Sequence, residues 1–313
     1  MHDRPGSGHL AGTPMASIIV PVYNGAATIG ACVASFLAMH VERSRFEIIV
    51  VDNGSTDATR DVLQKFGDEV RVLFEPTRGA SAARNRGIRE ALGSVVAFTD
   101  ADCTVDEDWL ATLLESFGDP AIGVVGGMVL SHKPCNRMEL FGEMIHDQRA
   151  AIEGNELPYV VTGNWASPHA VLLEVGLFDE SLRRGQDVDL SWRIHRAGYR
   201  LVYQSRARVF HRNERTLWGL MHEGFVHGFH SVRVREKHLA RRRSTFGRRL
   251  ASDMRRLAAK GDRIGSSLWL LFDLAKTFGE LLALAGPWKG GDGFPSGVSV
   301  MPVPSGSIRV KSE

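Results

Sequence analysis

The chain of 313 residues has few of the features that most directly indicate a protein's chemistry. Its three cysteines, Cys32, Cys103 and Cys135, lie far apart and share no CxxC spacing, which argues against a zinc knuckle or a redox pair. A reducing cytoplasm fits this cysteine usage best. The start of the chain is polar and glycine-rich and lacks the apolar core of a signal peptide, so residues 1–15 are predicted to form a disordered leader.

Two common phosphate-binding motifs are also absent. The chain has no GxxxxGK[ST] loop, and no GxGxxG follows the first predicted strand, which disfavours ATP hydrolysis and dinucleotide redox chemistry. The formal net charge is only +2, but it is unevenly distributed, because residues 233–263 contain 12 Lys and Arg against 3 Asp and Glu. The charge of residues 233–263 therefore says more about possible partners than the net charge of the whole chain does.

Short apolar runs alternate with helix-like segments over residues 16–126. The runs predicted as strands are SIIVPVY, FEIIVVD, VRVLFE and SVVAFTD, and the helices between them are predicted near residues 28–40, 57–66 and 81–92. Strands that are apolar on both faces, each followed by a helix, are typical of a parallel sheet covered on both sides. The sequence therefore predicts a doubly wound α/β half.

Residues 126–215 give a mixed pattern, which predicts an α+β extension of the first half. MVLSHKPCN and GNELPYVVTGNWASPHA are predicted to be irregular, with a helix near residues 187–197 and two short strands, RLVYQ and ARVFH. Residues 216–290 are predicted to be a basic and amphipathic helical extension, followed by a flexible tail at 291–313.

Polar residues follow three of the predicted strands, in PVYNG, VDNGSTD and FTDAD. Each stretch alone is equally typical of a turn or a helix cap, but the carboxyl ends of parallel strands converge on one crevice, where ligands bind. Asp52 can accept a hydrogen bond from the ring N–H of uracil, thymine or guanine, and Tyr23 offers an aromatic face. A pyrimidine or guanine nucleotide is therefore favoured over an adenine nucleotide.

Two further stretches suit a diphosphate. RGASAARNRGI places Arg84 at the opening of a helix, although an alanine-rich helix with solvated arginines is the alternative. Asp100 and Asp102 of FTDAD would repel a diphosphate unless a divalent cation, Mn²⁺ or Mg²⁺, lay between them. Both carboxylates point the same way if the strand persists through FTDAD.

A fourth acidic stretch, GQDVDLSWR, begins the late amphipathic helix. A carboxylate such as Asp187 or Asp189 is stabilised as the anion at a helix N-terminus. That property suits a general base and equally suits a helix cap, so the residues alone leave both alternatives open.

In their order along the chain, PVYNG, VDNGSTD, GASAARNRGI, FTDAD, TGNWA, GLFDE and GQDVDLSWR resemble the motifs of a family 2 glycosyltransferase of the GT-A fold. The resemblance covers residues 17–211. It implies an α/β fold with a mostly parallel central sheet flanked by helices, here followed by a helical C-terminal extension. It also implies metal-dependent, inverting transfer of a sugar from a nucleotide-diphosphate sugar, most often a UDP-sugar, to an acceptor hydroxyl.

The resemblance implies a role for each matching residue. The implied nucleotide contacts are Pro21, Tyr23, Asn24, Asp52, Arg84 and Asp100. The implied sugar or acceptor contacts are Gly163, Asn164, Trp165 and Gln186. The implied metal ligands are Asp102 and His211, and the implied catalytic base is Asp187. The family's acidic pair before the late helix is Gln186-Asp187 here, so an amide replaces the first acid and the base position is retained.

The resemblance also divides the catalytic domain, residues 16–215, into a nucleotide-binding half at 16–125 and an acceptor half at 126–215. The QxxRW signature of processive synthases is missing, which favours the addition of one or a few sugars. Two alternatives stay open: a nucleotide-sugar-binding module that has lost its chemistry, and a nucleotidyltransferase. The acceptor, whether saccharide, lipid-linked or small molecule, is not indicated.

The C-terminal third joins the basic run to the amphipathic stretch SSLWLLFDLAKTFGELLALAG. Asp273, Lys276 and Glu280 interrupt this stretch at helical spacing, which argues against a membrane-spanning helix. The open alternatives for residues 233–286 are a helix on the inner, anionic face of a membrane, a helix packed on the catalytic domain, and a homodimer interface. Binding to nucleic acid is not expected.

Overall fold

The computed structural model describes residues 13–155, 157–239 and 263–285. Most of the predicted leader, the basic run at 240–262 and the predicted tail lie outside these residues. The strands described are β1 (Ala16–Val22), β2 (Phe46–Asp52), β3 (Arg71–Phe74), β4 (Val95–Phe98), β5 (Cys103–Val105), β6 (Ile122–Ser131), β7 (Trp165–Pro168) and β8 (Arg200–His211). The helices described are α1 (Ile29–Leu37), α2 (Thr59–Gln64), α3 (Ala80–Glu90), α4 (Trp109–Glu115), α5 (Arg137–Ile145), α6 (Gln148–Glu153), α7 (His169–Glu174), α8 (Gln186–Arg196), α9 (Leu217–Leu239) and α10 (Arg263–Ala285).

These strands form one sheet in the order β3-β2-β1-β4-β7-β6-β8-β5. The first four strands in this order are mutually parallel, as the alternation of apolar runs and helices predicts. β7 is antiparallel to both β4 and β6, β8 is parallel to β6, and β5 is antiparallel to β8. A single sheet therefore continues across residues 125 and 126, where the two predicted halves meet.

The parallel strands β1, β2 and β4 are buried on both faces, whereas the edge strand β3 is largely exposed. Ile18 and Val20 of β1 contribute to the core on the side of α1 and α4, whereas Ile19 lies in the core on the side of α3. This division follows from the alternation of side chains along a strand. Burying each such side chain stabilises the fold by roughly 1.5–3 kcal/mol.

The second half differs from the predicted irregular structure. MVLS is part of the ten-residue strand β6, WASP forms β7, and RLVYQ and ARVFH belong to one twelve-residue strand, β8. The pairing of β6 with β8 shifts register between Gly127 and Met128. The polar middle of β8 is exposed, so its sequence lacks the apolar pattern of a strand, and pairing with β6 forms the strand instead.

The C-terminal helices α9 and α10 each have 23 residues and pack against one another. Among the residues that the structure describes, no helix is both long enough and apolar enough to cross a membrane. This finding agrees with the interruption of the α10 sequence by charged residues.

Candidate active site

The carboxyl ends of β1 and β2 lie side by side, with Val22 paired to Asp52. The loops that follow are joined through Asn24, whose side-chain oxygen accepts a hydrogen bond from the Thr56 N–H at 2.8 Å. The Asn24 N–H donates to Ser55 Oγ at 3.0 Å. Asn24 therefore holds the two loops together at the edge where the nucleotide is predicted to bind.

Asp52 is a buried, ionised acceptor at this edge, with 2% of the residue exposed. Its carboxylate accepts hydrogen bonds from the Ser55 N–H at 2.8 Å and from Arg60 Nε at 2.5 Å. Burial alone would raise the pKa of Asp52, but these hydrogen bonds and the charge of Arg60 lower it below its ordinary value. The sequence motif did not indicate Arg60 as a partner.

Tyr23 lies just beyond β1 and is half-exposed. The Arg78 guanidinium lies 3.4 Å from the centroid of the Tyr23 ring and donates a hydrogen bond to the Asn53 carbonyl oxygen at 2.8 Å. A second unforeseen arginine therefore contacts the ring that is predicted to contact the base. Pro21 lies within β1 and is partly buried.

Arg84 on α3 is buried and reaches into the crevice. Its Nη2 donates to Asp100 Oδ1 at 2.7 Å, whereas its Nε and Nη1 are buried without a hydrogen-bond partner among the described residues. Gly87 allows this placement, because a Cβ there would lie 2.5 Å from a methyl group of Ile19 on β1. The guanidinium therefore retains N–H groups for an anionic ligand.

The two carboxylates of FTDAD do not lie on a strand. β4 ends at Phe98, and a turn follows in which the Cys103 N–H donates to the Asp100 carbonyl oxygen at 3.0 Å. The condition under which both carboxylates would point the same way is therefore not met, because a turn bonded across four residues closes here. Asp100 pairs with Arg84, and Asp102 faces His211.

His211 ends β8, and its Nε2 lies 3.6 Å from Asp102 Oδ1. The Asn213 amide nitrogen donates to Ser131 Oγ and to the Glu139 carbonyl oxygen, both at 2.9 Å, which fixes the orientation of the amide. Asn213 Oδ1 must then accept the hydrogen bond from His211 Nδ1 at 2.7 Å. In neutral His211 the Nε2 lone pair is therefore directed toward Asp102, as a metal-ligating histidine requires.

These residues fit a divalent cation that prefers oxygen and nitrogen ligands. Ligand atoms of Asp102, Cys103 and His211 all lie within 4.8 Å of one another. Burial raises the pKa of the Cys103 thiol well above its ordinary value, so a thiolate ligand is disfavoured. Burial, assisted by the Asp100 charge, also raises the pKa of Asp102, and a cation at this position would oppose both effects. The side chains that could hold a cation here are therefore one carboxylate and one imidazole.

Asp187 lies in the first turn of α8, which begins after Gly185 in the left-handed conformation at a φ of 76°. Burial raises the pKa of Asp187, although the nearby charges of Arg84 and His227 oppose this effect. A carboxylate with a raised pKa is a better proton acceptor, as a general base requires. Its neighbour Gln186 has a buried side-chain oxygen without a hydrogen-bond partner among the described residues.

Asp189, the second aspartate of GQDVDL, differs from Asp187 in its surroundings and in the direction of its pKa shift. Asp189 is fully buried, forms ion pairs with Arg193 at 2.8 Å and Lys237 at 2.7 Å, and shares a hydrogen bond of 2.7 Å with His238 Nε2. Burial alone would raise the pKa of Asp189, but its hydrogen bonds with Lys237 and His238 and the Arg193 charge lower it. Asp189 thus joins α8 to α9.

Of the three predicted contacts in TGNWA, only Gly163 lies beside the crevice. A Cβ at Gly163 would lie 3.5 Å from Asp100 Oδ2. Asn164 is fully buried, and its amide bonds Trp109 and the carbonyl oxygens of Met128 and Ala207, while Trp165 is fully buried in the core. Both side chains pack inside the fold, and contact of Asn164 and Trp165 with sugar or acceptor stays a prediction.

The sequence motifs did not indicate three further titratable residues near His211 and Asp187, namely His146, Glu223 and His227. The His146 ring lies 5.1 Å from that of His211, and burial together with the His211 charge lowers the pKa of His146 to about 4. On α9, His227 Nε2 lies 3.6 Å from Glu223 Oε1, and His227 is close enough to lower the pKa of Asp187. The spacing of Glu223 and His227 by four residues on a helix was the available sequence signal.

Comparison with known protein sequences identifies a family and several relatives of this chain. The family described as Glycosyl transferase family 2 matches residues 17–176. Glycosyltransferase AglE of Haloferax volcanii is 32% identical over 199 residues, which cover 61% of this chain and 64% of AglE. The pre-mycofactocin glycosyltransferase of Mycobacterium tuberculosis is 34% identical over 221 residues, which cover 67% of this chain and 45% of that protein. The chain thus spans less than two thirds of the length of either relative.

Structure comparisons give the same fold. Mannosyltransferase PcManGT from Pyrobaculum calidifontis, in complex with GDP-Man and Mn²⁺, aligns with a TM-score of 0.66 at 19% identity and covers 87% of both chains. TarS 1–349 of S. aureus, in complex with UDP-GlcNAc, aligns with a TM-score of 0.51 at 18% identity and covers 67% of this chain and 65% of TarS 1–349. At identities this low the likeness concerns the fold alone.

The sheet order and the structural likeness therefore place the chain in the GT-A fold class. The chain belongs to glycosyl transferase family 2. The family, the fold class and the enzyme class implied by the sequence motifs are confirmed.

Proposed function

We propose that the chain is an inverting, metal-dependent glycosyltransferase that moves a sugar from a nucleotide-diphosphate sugar to an acceptor hydroxyl. The observation that carries this proposal is the buried Arg84, which holds Asp100 at 2.7 Å and keeps two nitrogens without hydrogen-bond partners among the described residues. Leaving such groups buried and unsatisfied costs about 1–3 kcal/mol each. Diphosphate oxygens would satisfy them with charge-assisted hydrogen bonds.

For the donor we propose a UDP-sugar first, with a GDP-sugar as the second candidate. A carboxylate offers about four lone-pair positions, so Asp52 can accept a base N–H in addition to Ser55 and Arg60. Uracil and guanine both present such an N–H. The complexes of PcManGT with GDP-Man and of TarS with UDP-GlcNAc are consistent with either base.

Asp102 and His211 are the proposed ligands of Mn²⁺ or Mg²⁺. Asp100 is already paired with Arg84, so Asp102 is the carboxylate that faces the imidazole. When bound, the ion supplies positive charge that stabilises the leaving diphosphate. Asp100 and Arg84 then hold the ribose and diphosphate side of the donor in place.

Asp187 is the proposed general base. Its carboxylate accepts the proton of the acceptor hydroxyl while the acceptor oxygen forms a bond to the anomeric carbon. The bond from that carbon to the diphosphate oxygen breaks on the opposite side, so the anomeric configuration inverts and the nucleoside diphosphate leaves with the electron pair. Gln186 and Gly163 are the proposed contacts of the transferred sugar or the acceptor. Because QxxRW is missing, the transfer is proposed to be non-processive.

The proposal is tested by thermal unfolding with UDP, GDP, dTDP and CDP compounds, each with and without Mn²⁺. A ligand that binds the native state raises the unfolding temperature according to its affinity and concentration. We expect the largest increase with UDP compounds and a further increase with Mn²⁺. Equal shifts with and without Mn²⁺ would contradict metal dependence.

The products released from different substrates distinguish a glycosyltransferase from a binding module and from a nucleotidyltransferase. Release of UDP from a UDP-sugar in the presence of acceptor and Mn²⁺ would support transfer. Tight binding without any donor cleavage across an acceptor panel would instead favour a binding module. Release of pyrophosphate from a nucleoside triphosphate and a sugar phosphate would favour a nucleotidyltransferase.

A further inference from the structure

Helix α10 buries two acidic side chains and leaves four large apolar side chains exposed. Asp273 and Glu280 are buried, at 3% and 0% exposed. The outward residues are Leu270 at 42%, Leu274 at 45%, Phe278 at 63% and Leu281 at 52% exposed. Their spacing of four, four and three residues puts them on one face of the helix. The buried side of α10 also carries Leu268 and Phe272, so the helix is apolar on both sides, whereas a helix on a water-soluble domain is expected to have a polar outer face.

The rotation of α10 about its axis is fixed by close contacts with α9. Glu280 pairs with Arg235 of α9 at 3.2 Å. A side-chain carbon at Gly228 of α9 would collide with the carbonyl oxygen of Lys276, so the two backbones are in direct contact there. Turning the apolar face inward would therefore break a buried ion pair and a close helix contact. The outward face is a consequence of the packing.

Helix α9 extends the same apolar surface. The Phe225 ring lies 5.8 Å from the Phe278 ring, and Trp218, seven residues before Phe225 and hence on the same face of α9, is 78% exposed. We call this surface the outer face and define it as Trp218, Phe225, Leu270, Leu274, Phe278 and Leu281. Contiguous apolar surfaces of this kind usually mark an interaction site.

The charge of the neighbouring segment indicates the partner. Residues 240–262, which connect the two helices, contain eight Arg and Lys and two Asp, a formal net charge of +6. A second copy of the chain would bring an equal positive charge, which disfavours self-association. A bilayer surface with anionic headgroups is attractive to that charge and receives apolar side chains beneath the headgroups.

We propose that the outer face docks in the plane of a membrane surface that carries anionic phospholipid. Trp218 and Phe278 enter the interfacial layer of the membrane. The basic residues of 240–262 contribute electrostatic attraction, and each one near the surface multiplies the partition coefficient by roughly tenfold or less. The same helix α9 carries His227, which lies near Asp187, so the docked surface and the candidate site share one helix. The proposal concerns binding and does not depend on the reaction.

Co-sedimentation of the full chain with vesicles tests the proposal. We expect binding to vesicles with about one third phosphatidylglycerol in phosphatidylcholine, weak binding to phosphatidylcholine alone, and a loss of binding as salt is raised. The double variant Leu274→Ser, Phe278→Ser should lower the partition coefficient by about tenfold or more. The matched control is Leu173→Ser on α7, where the leucine is 54% exposed and far from the outer face in sequence, and it should bind as the wild type does.

Further measurements exclude unfolding, loss of the donor site and self-association as explanations of the vesicle result. The double variant must keep the unfolding temperature and UDP affinity of the wild type, which separates loss of docking from loss of the fold or of the donor site. Trp218→Phe should remove part of the fluorescence blue shift that vesicles induce. Wild-type protein that stays in the supernatant at low salt, or a double variant that binds as well as the wild type, would overturn the proposal. So would a dimer in sedimentation velocity that the double variant converts to monomer.

Discussion

The Arg84 guanidinium donates to Asp100 at 2.7 Å from within the protein, where only 3% of the arginine is exposed. This pairing separates the two carboxylates of FTDAD, because Asp102 lies beyond the turn and faces His211 instead. Two aspartates one residue apart in the chain therefore have different neighbours, and different roles are proposed for them.

The first prediction concerns Arg84. Arg84→Lys keeps the charge but loses the planar set of N–H groups that can serve Asp100 and a diphosphate together. We expect the affinity for UDP with Mn²⁺, measured by isothermal titration calorimetry, to fall by about tenfold. Arg86→Lys on the same helix is the control, since the Arg86 side chain is 44% exposed and pairs with Glu90. Unchanged affinity in Arg84→Lys would contradict the assignment.

The second prediction concerns Asp187. Asp187→Asn should retain UDP binding but lower kcat by roughly a hundred- to ten-thousandfold, because the proton acceptor is lost. Since the fold raises the pKa of Asp187, its charged form destabilises the native state above that pKa, and the substitution should raise the unfolding temperature at neutral pH. Near wild-type turnover by this variant would remove Asp187 from the mechanism.

The third prediction uses Asp189 as the contrasting residue. Its pKa is lowered in the fold, so its contribution to stability is present above its ordinary pKa and is lost as the pH falls through the lowered value. Asp189→Asn should therefore destabilise the protein at neutral pH, by about 3 kcal/mol in chemical denaturation, because it breaks a buried set of ion pairs. The two substitutions are expected to shift stability in opposite directions, and equal shifts would refute the difference between the two sites.

The fourth prediction separates the three candidate metal ligands. His211→Ala and Asp102→Asn should each weaken Mn²⁺ binding by at least about tenfold, measured by electron paramagnetic resonance of the free ion. Cys103→Ser should leave Mn²⁺ affinity unchanged, because burial keeps the thiol protonated. A loss of affinity confined to the cysteine variant would indicate a thiolate site for a softer metal.

Much of the first half of the fold could be predicted from local sequence. β1 and β2 are runs of β-branched residues buried on both faces, and their polar ends, including Asp52, lie on one edge because parallel strands share direction. The second half could not be predicted in the same way. β8 has an exposed polar middle and a register shift, so its pairing with β6 depends on contacts between distant parts of the chain.

The sequence by itself determined the family, the parallel half of the sheet and the candidate acids Asp52, Asp102 and Asp187, since these depend on short motifs and on the periodicity of apolar residues. Only the tertiary structure decided that Arg84 pairs with Asp100, that Asn164 and Trp165 are buried, and that α10 leaves four large apolar side chains exposed. The physical reason is that burial and electrostatic interactions depend on distances in space. These distances are determined by contacts between residues that lie far apart in the chain.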